Sequence, residues 1–134
     1  MNQFEFNQPK TGNDIKHKGD CMIRSIAIAI NKPYKEVYDI MYDLGWRTNK
    51  HKSELTWEEK MTKTLEHFGY KNTYWESFPA IKGQKRITPK TFPYVNEGIY
   101  ILRMAKHVCA FKGENYIDSW DCGHKCVYKA LKII

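Results

Sequence analysis

The run Cys21-Met22-Ile23-Arg24-Ser25-Ile26-Ala27-Ile28-Ala29-Ile30 follows directly on Gly19-Asp20 and constrains the chain more than any other stretch. Met22, Ile23, Ile26, Ala27 and Ile30 recur at helical spacing, which predicts a helix that buries one face and, being the most apolar, sits at the centre of the domain. Asp20 suits the N-cap, where a carboxylate accepts from a free backbone N–H. Cys21 then stands at the positive end of the helix, where first-turn N–H groups and the macrodipole favour a thiolate. A cysteine there also serves as a small buried apolar residue. Its partners elsewhere in the chain decide between the two roles.

At 134 residues the chain fits a single domain, 1–134, with enough length to bury a core of its own. Met1 to Gln8 carry only scattered apolar residues, unlike a signal peptide, and no stretch is long enough to span a bilayer. These features predict a cytoplasmic, reducing setting in which Cys21, Cys109, Cys122 and Cys126 are free thiols. Twenty-two Lys and Arg against 15 Asp and Glu give a net charge of +7. The positive charges are spread out, with local clusters at Lys16 to Lys18, Lys50 to Lys52 and Lys82 to Arg86. No nucleic-acid fingerprint accompanies them, so they predict a solvated surface and, where they meet a partner, an acidic one.

Residues 1–18 read as an extended polar lead-in, in which Pro9, Gly12 and Asn13 disfavour regular structure. Beyond the cysteine helix, Pro33 restarts the chain, Val37, Ile40, Met41 and Leu44 form an apolar stripe, and Gly45 stops it, which predicts a second helix. Trp46 to Ser53 is basic and reads as a loop. Thr56-Trp57-Glu58-Glu59 has the form of a capping box, opening a third helix with Trp57, Met61, Thr64, Leu65 and Phe68 on its core face and Gly69 at its end. Tyr70 to Trp75 is strand-like. Pro79, Gly83, Pro89 and Pro93 make Ser77 to Asn96 a long loop, expected to wall or cover a cleft. Strands are expected at Ile99 to Arg103, His107 to Phe111, Tyr116 to Ile117 and Val127 to Leu131, with a hairpin turn at Lys112 to Asn115. Helices followed by a meander predict an α+β fold, the helices packed on one face of a largely antiparallel sheet.

Thiol catalysis needs a base to take the proton and a third group to hold that base. His107 opens one strand of the hairpin, and Asp118 ends the other, 11 residues later, which brings both to the same end of the sheet. His17, His51, His67 and His124 read as surface residues. Cys122-Gly123-His124-Lys125-Cys126, with Cys109 and His107 nearby, offers zinc-type ligands. No second paired set accompanies it, and using His107 would remove the base, so neither metal nor cofactor is expected.

Gly19-Asp20-Cys21 opening an apolar helix, a strand beginning His107-Val108, and Asp118-Ser119-Trp120 after a turn resemble the papain-like cysteine peptidases in order and context. The wording around Cys21 to Ala27 and Pro33 to Tyr38 resembles a compact, phage-associated branch of that superfamily. The resemblance covers Gly19 to Leu44 and Gly98 to Asp121. It implies a papain-like α+β fold with the catalytic cysteine at the start of the central helix. Cys21 would be the nucleophile, His107 the general base and acid, Asp118 the orienting group, and Trp120 a shield over the histidine–aspartate pair. The family's oxyanion glutamine shortly before the cysteine is missing here, and Asn13 is the nearest carboxamide. The function implied is a peptidase or amidase with a protein or peptide substrate, in a bacterial or phage-infected cell. Two alternatives stand beside it: a cell-wall peptide amidase, and a phage-encoded binding or inhibitor protein that keeps the fold without the activity.

Overall fold

A computed structural model of the protein describes residues 1–46 and 55–134. The expected loop at 47–53, with His51 and the Lys50 to Lys52 cluster, lies outside the described residues. Three helices, α1 (Cys21–Ile30), α2 (Tyr34–Asp43) and α3 (Trp57–His67), cover one face of a six-stranded mixed sheet. The strands are β1 (Gln3–Phe6), β2 (Tyr74–Ser77), β3 (Ile99–Met104), β4 (His107–Lys112), β5 (Asn115–Asp118) and β6 (Lys129–Lys132), in the order β1-β5-β4-β3-β6-β2. Among the described strands only the β1–β5 pairing is parallel.

The cysteine helix begins at Cys21, as its pattern predicts, and packs against β3, β4, β5 and both other helices. Beyond its first turn it is buried nearly all round, Ile28 and Ala29 included, which is how a central helix differs from an amphipathic surface one. Pro33 is the N-cap of α2 rather than its first helical residue. At the start of α3 both bonds of the capping box form: Glu59 N–H donates to Thr56 Oγ1 at 3.1 Å, and Thr56 N–H donates to the Glu59 carboxylate at 3.1 Å. Thr56→Ala is expected to cost about 1 kcal/mol of stability, read as a lower urea midpoint.

Two expectations are corrected. The lead-in is not devoid of regular structure, because Gln3 to Phe6 pair in parallel with β5, Phe6 opposite Asp118, and Gly12–Lys16 form a 3-10 turn. The free edge of β5 needs a partner, and Phe4 meets Tyr116 at 5.6 Å between ring centroids. The alternation of Phe4 and Phe6 was the only sequence sign of this strand. The second concerns the loop from Ser77 to Asn96, whose first half walls a separate hollow of about 130 Å³, between Phe78, Ile81 and Arg86, and not the cleft at Cys21. The loop covers the sheet face away from the helices. There Phe92 is buried against Phe111 at 4.9 Å and Tyr100 at 5.3 Å. A sheet buried on both faces needs two covers, and the helices supply only one.

Candidate active site

A two-residue turn, Ala105-Lys106, joins β3 to β4, so that Met104 faces His107 and the histidine becomes the first residue of its strand. Lys106 takes a left-handed conformation there, φ 54°, and Lys125 Nζ donates to Ala105 O at 2.8 Å. In the next hairpin Lys112 pairs with Asn115, as the Lys112 to Asn115 turn requires. Ala110 stands opposite Ile117, so extending the register by one residue sets Asp118 opposite Cys109 and diagonal to His107. Strand alternation gives His107, Cys109, Tyr116 and Asp118 one common face.

His107 Nε2 hydrogen-bonds to Asp118 Oδ2. The other carboxylate oxygen accepts from Ser119 N–H at 2.7 Å and lies 3.6 Å from Arg24 Nη2. Asn7 N–H donates to the Asp118 carbonyl at 2.9 Å, so β1 also holds this residue's backbone. The thiols of Cys122 and Cys21 both interact with the imidazole. Burial works against a charged ring, but Asp118, helped by those two thiols, raises the His107 pKa to about 11. The ring therefore stays an imidazolium at neutral pH, with Nε2 on Asp118 and Nδ1 left for a thiol. Trp120 covers it at 4.6 Å between centroids, tilted by 43°, while remaining 41% exposed.

Cys21 opens onto a cleft of about 290 Å³. Gly19 and Met22 flank it, Trp57 forms a wall, and Lys106 and His107 stand on the hairpin side. Arg103 lies over the Trp57 ring at 4.3 Å and pairs with Glu58 at 2.8 Å. Trp57, expected in the core, is thus half-buried and faces the cleft. A hollow of about 700 Å³ opens near the other end of α1, around Asn31 and Lys112, and has no thiol or imidazole in its lining.

Asp20 occupies the N-cap position but does not cap the helix with its side chain. It is fully buried and bonds instead to Arg24 Nη1 at 2.5 Å, to Lys10 Nζ at 3.1 Å and to the Tyr34 hydroxyl. The backbone N–H groups of Cys21 and Met22 therefore meet no acceptor among the described residues. Asn13 does not join them. It is exposed on the 3-10 turn and absent from the cleft wall, so the carboxamide expected to stabilise an oxyanion is elsewhere.

The remaining cysteines and histidines divide by burial. Cys122 is fully buried against Cys109 and His107. Of this pair the proton stays on Cys109, whose pKa is raised by its bond to Cys122 and by burial. Cys122 is drawn down to about 7 by that same bond, against its burial and with help from His107. His124 is exposed and Cys126 half-buried, and neither joins the buried trio His107, Asp118 and Cys122 that could hold a metal. His17 is not a free surface residue, since it stacks on Tyr38 at 4.2 Å and on Tyr34 at 5.9 Å. Arg24, in contact with both Asp20 and Asp118, escaped the sequence reading. Its only signal was the i, i+4 spacing from Asp20.

Compared with known protein families, curated proteins and solved structures, the chain matches none. Among the described residues no helix is long and apolar enough to cross a membrane.

Proposed function

We propose that the protein is a cysteine-dependent hydrolase, a papain-like peptidase or amidase that cleaves a peptide or protein substrate through a thioester on Cys21. One observation carries this reading: His107, bonded to Asp118 through Nε2, also interacts with a thiol at the start of the central helix. In the proposed reaction Cys21 Sγ, its proton held by His107, attacks the acyl carbon. The first-turn N–H groups of Cys21 and Met22 receive the oxyanion. His107 passes its proton to the leaving amine as the carbon–nitrogen bond breaks. Water then attacks the thioester carbon, giving one proton to His107; the carbon–sulfur bond breaks, the carboxylic acid leaves, and Cys21 is restored with its proton again held by His107. Asp118 fixes the ring, and Trp120 keeps solvent from the pair. The apolar wall of Met22 and Trp57, with Lys106 at the rim and a net charge of +7, favours an acidic peptide segment.

Asp121 competes for the orienting role in sequence but is engaged elsewhere, accepting from Tyr116 Oη at 2.7 Å and Gly123 N–H at 2.9 Å. Asp118→Ala is therefore expected to lower hydrolysis of a peptide library, and thiol-probe labelling of Cys21, by at least about tenfold more than Asp121→Ala. Equal losses, or the reverse order, would move the third role to Asp121. A Cys21 no more reactive than Cys126 would instead favour the binding-protein alternative.

A further inference from the structure

Cys122 is a buried thiol that the proposed chemistry does not use, and it lies beside the two residues that chemistry most needs. We propose that His107, Asp118 and Cys122 form a binding site for a borderline-soft divalent cation, zinc foremost, and that filling it withdraws His107 from Cys21. The binding site stands on geometry alone, whereas the withdrawal rests on the peptidase reading above.

The three donor atoms, one imidazole nitrogen, one carboxylate oxygen and one sulfur, all lie within 4.8 Å of one another, and all three residues are buried. Around tetrahedral zinc, N, O and S donors sit about 3.3–3.8 Å apart, so the hydrogen-bonded His107–Asp118 pair opens slightly while the Cys122 sulfur draws in. The mixed donors suit zinc and disfavour magnesium or calcium, which take oxygen ligands. The outer contacts are also of the right kind. Ser119 N–H and Arg24 both engage Asp118 Oδ1, which leaves Oδ2 directed at the site. Three protein ligands leave a fourth position for water.

On binding, the hydrogen bond between His107 Nε2 and Asp118 Oδ2 is exchanged for one bond from each to the ion, and the Nε2 proton and the Cys122 proton both go to solvent. A ring with Nε2 on a metal keeps its proton on Nδ1. It is then a neutral imidazole, so the imidazolium charge beside Cys21 is lost and the ring has no second proton to pass to the leaving amine. The cation and substrate turnover thus exclude each other at one imidazole.

The test uses the full chain, stripped with a chelator, dialysed, and titrated with Co²⁺ and with Zn²⁺. We expect about one Co²⁺ per chain, with a thiolate-to-cobalt charge-transfer band that Zn²⁺ abolishes by displacement. Cys122→Ser should remove the band and weaken zinc binding by at least about tenfold, while Cys21→Ser, Cys126→Ser and His124→Ala keep both. Because Cys122 is buried, circular dichroism checks the fold of its variant, and His107→Gln provides a second route to the same loss of affinity. A band that survives Cys122→Ser, or vanishes with Cys126→Ser, overturns the site. So does weak, unsaturable binding, which would mean surface adsorption only. Zinc should also slow iodoacetamide labelling of Cys21 in proportion to occupancy. Unchanged labelling of the loaded protein overturns the withdrawal of His107. Inert Cys21 in the stripped protein overturns the peptidase reading and leaves the metal site standing.

Discussion

Limiting iodoacetamide at about pH 6.5 labels Cys21 ahead of the other three cysteines, and His107→Ala slows that labelling by about a hundredfold. Two requirements meet at Cys21 alone. It opens onto the cleft, and it faces a ring that Asp118 keeps protonated to about pH 11 against the cost of burial. The imidazolium and the free N–H groups of the first helical turn both lie beside the sulfur and stabilise the negative charge that develops on it as it attacks the reagent. Cys122 has half of this advantage, since its pKa is drawn down to about 7, but it is 0% exposed and reagent does not reach it. Cys109 is buried and holds its proton. Cys126 is half-buried and does not touch His107. Asn13→Ala is the control, because the residue lies away from the cleft and its loss should leave the rate unchanged. Peptide mapping after partial alkylation reads the order. Early labelling of Cys126, with no response to His107→Ala, would remove the thiol chemistry from this protein.

Arg24→Ala is expected to lower the stability of the folded protein by about 3 kcal/mol and to erode the Cys21 labelling preference as well. The guanidinium is 12% exposed and has one nitrogen 2.5 Å from Asp20 and another 3.6 Å from Asp118. Removing it leaves Asp20, which is completely buried, to Lys10 and the Tyr34 hydroxyl, and leaves Asp118 to His107 and the Ser119 N–H. Buried carboxylates stripped of a partner are costly, whereas exposed pairs contribute little. Lys35→Ala, which breaks the exposed pair with Asp39, should therefore barely move the urea midpoint. Arg24→Lys should recover only part of the loss, because an ammonium cannot fork between two carboxylates. An Arg24→Ala variant as stable as Lys35→Ala would show that the two aspartates do not depend on Arg24.

Much of the site was legible because its residues lie at the ends of regular elements. Helical periodicity from Met22 to Ile30 placed Cys21 at a helix start, and the Lys112 to Asn115 turn made β4 and β5 neighbours, which brings His107 and Asp118 to one end of the sheet. Trp120 follows from its place two residues beyond Asp118. Hidden from this reasoning were side chains whose partners are distant in sequence. Asp20 looks like a cap because local rules know only its own helix, yet Lys10 and Tyr34 take its carboxylate. Asn13 was the nearest carboxamide by position, but the 3-10 turn leaves it facing solvent.

By itself the sequence determined the three helices, most of the strands, the α+β class and the pairing of His107 with Asp118. Periodicity, capping residues and tight turns act over a few residues and can be read in order along the chain. The tertiary structure alone decided that β1 would seal the edge of β5, that the loop from Ser77 to Asn96 would cover the second face of the sheet, and that Arg24 would come to lie between two aspartates. Each of these joins residues from separate elements. The free energy that selects them comes from burying apolar surface and pairing buried charge, and neither quantity exists until the elements have docked.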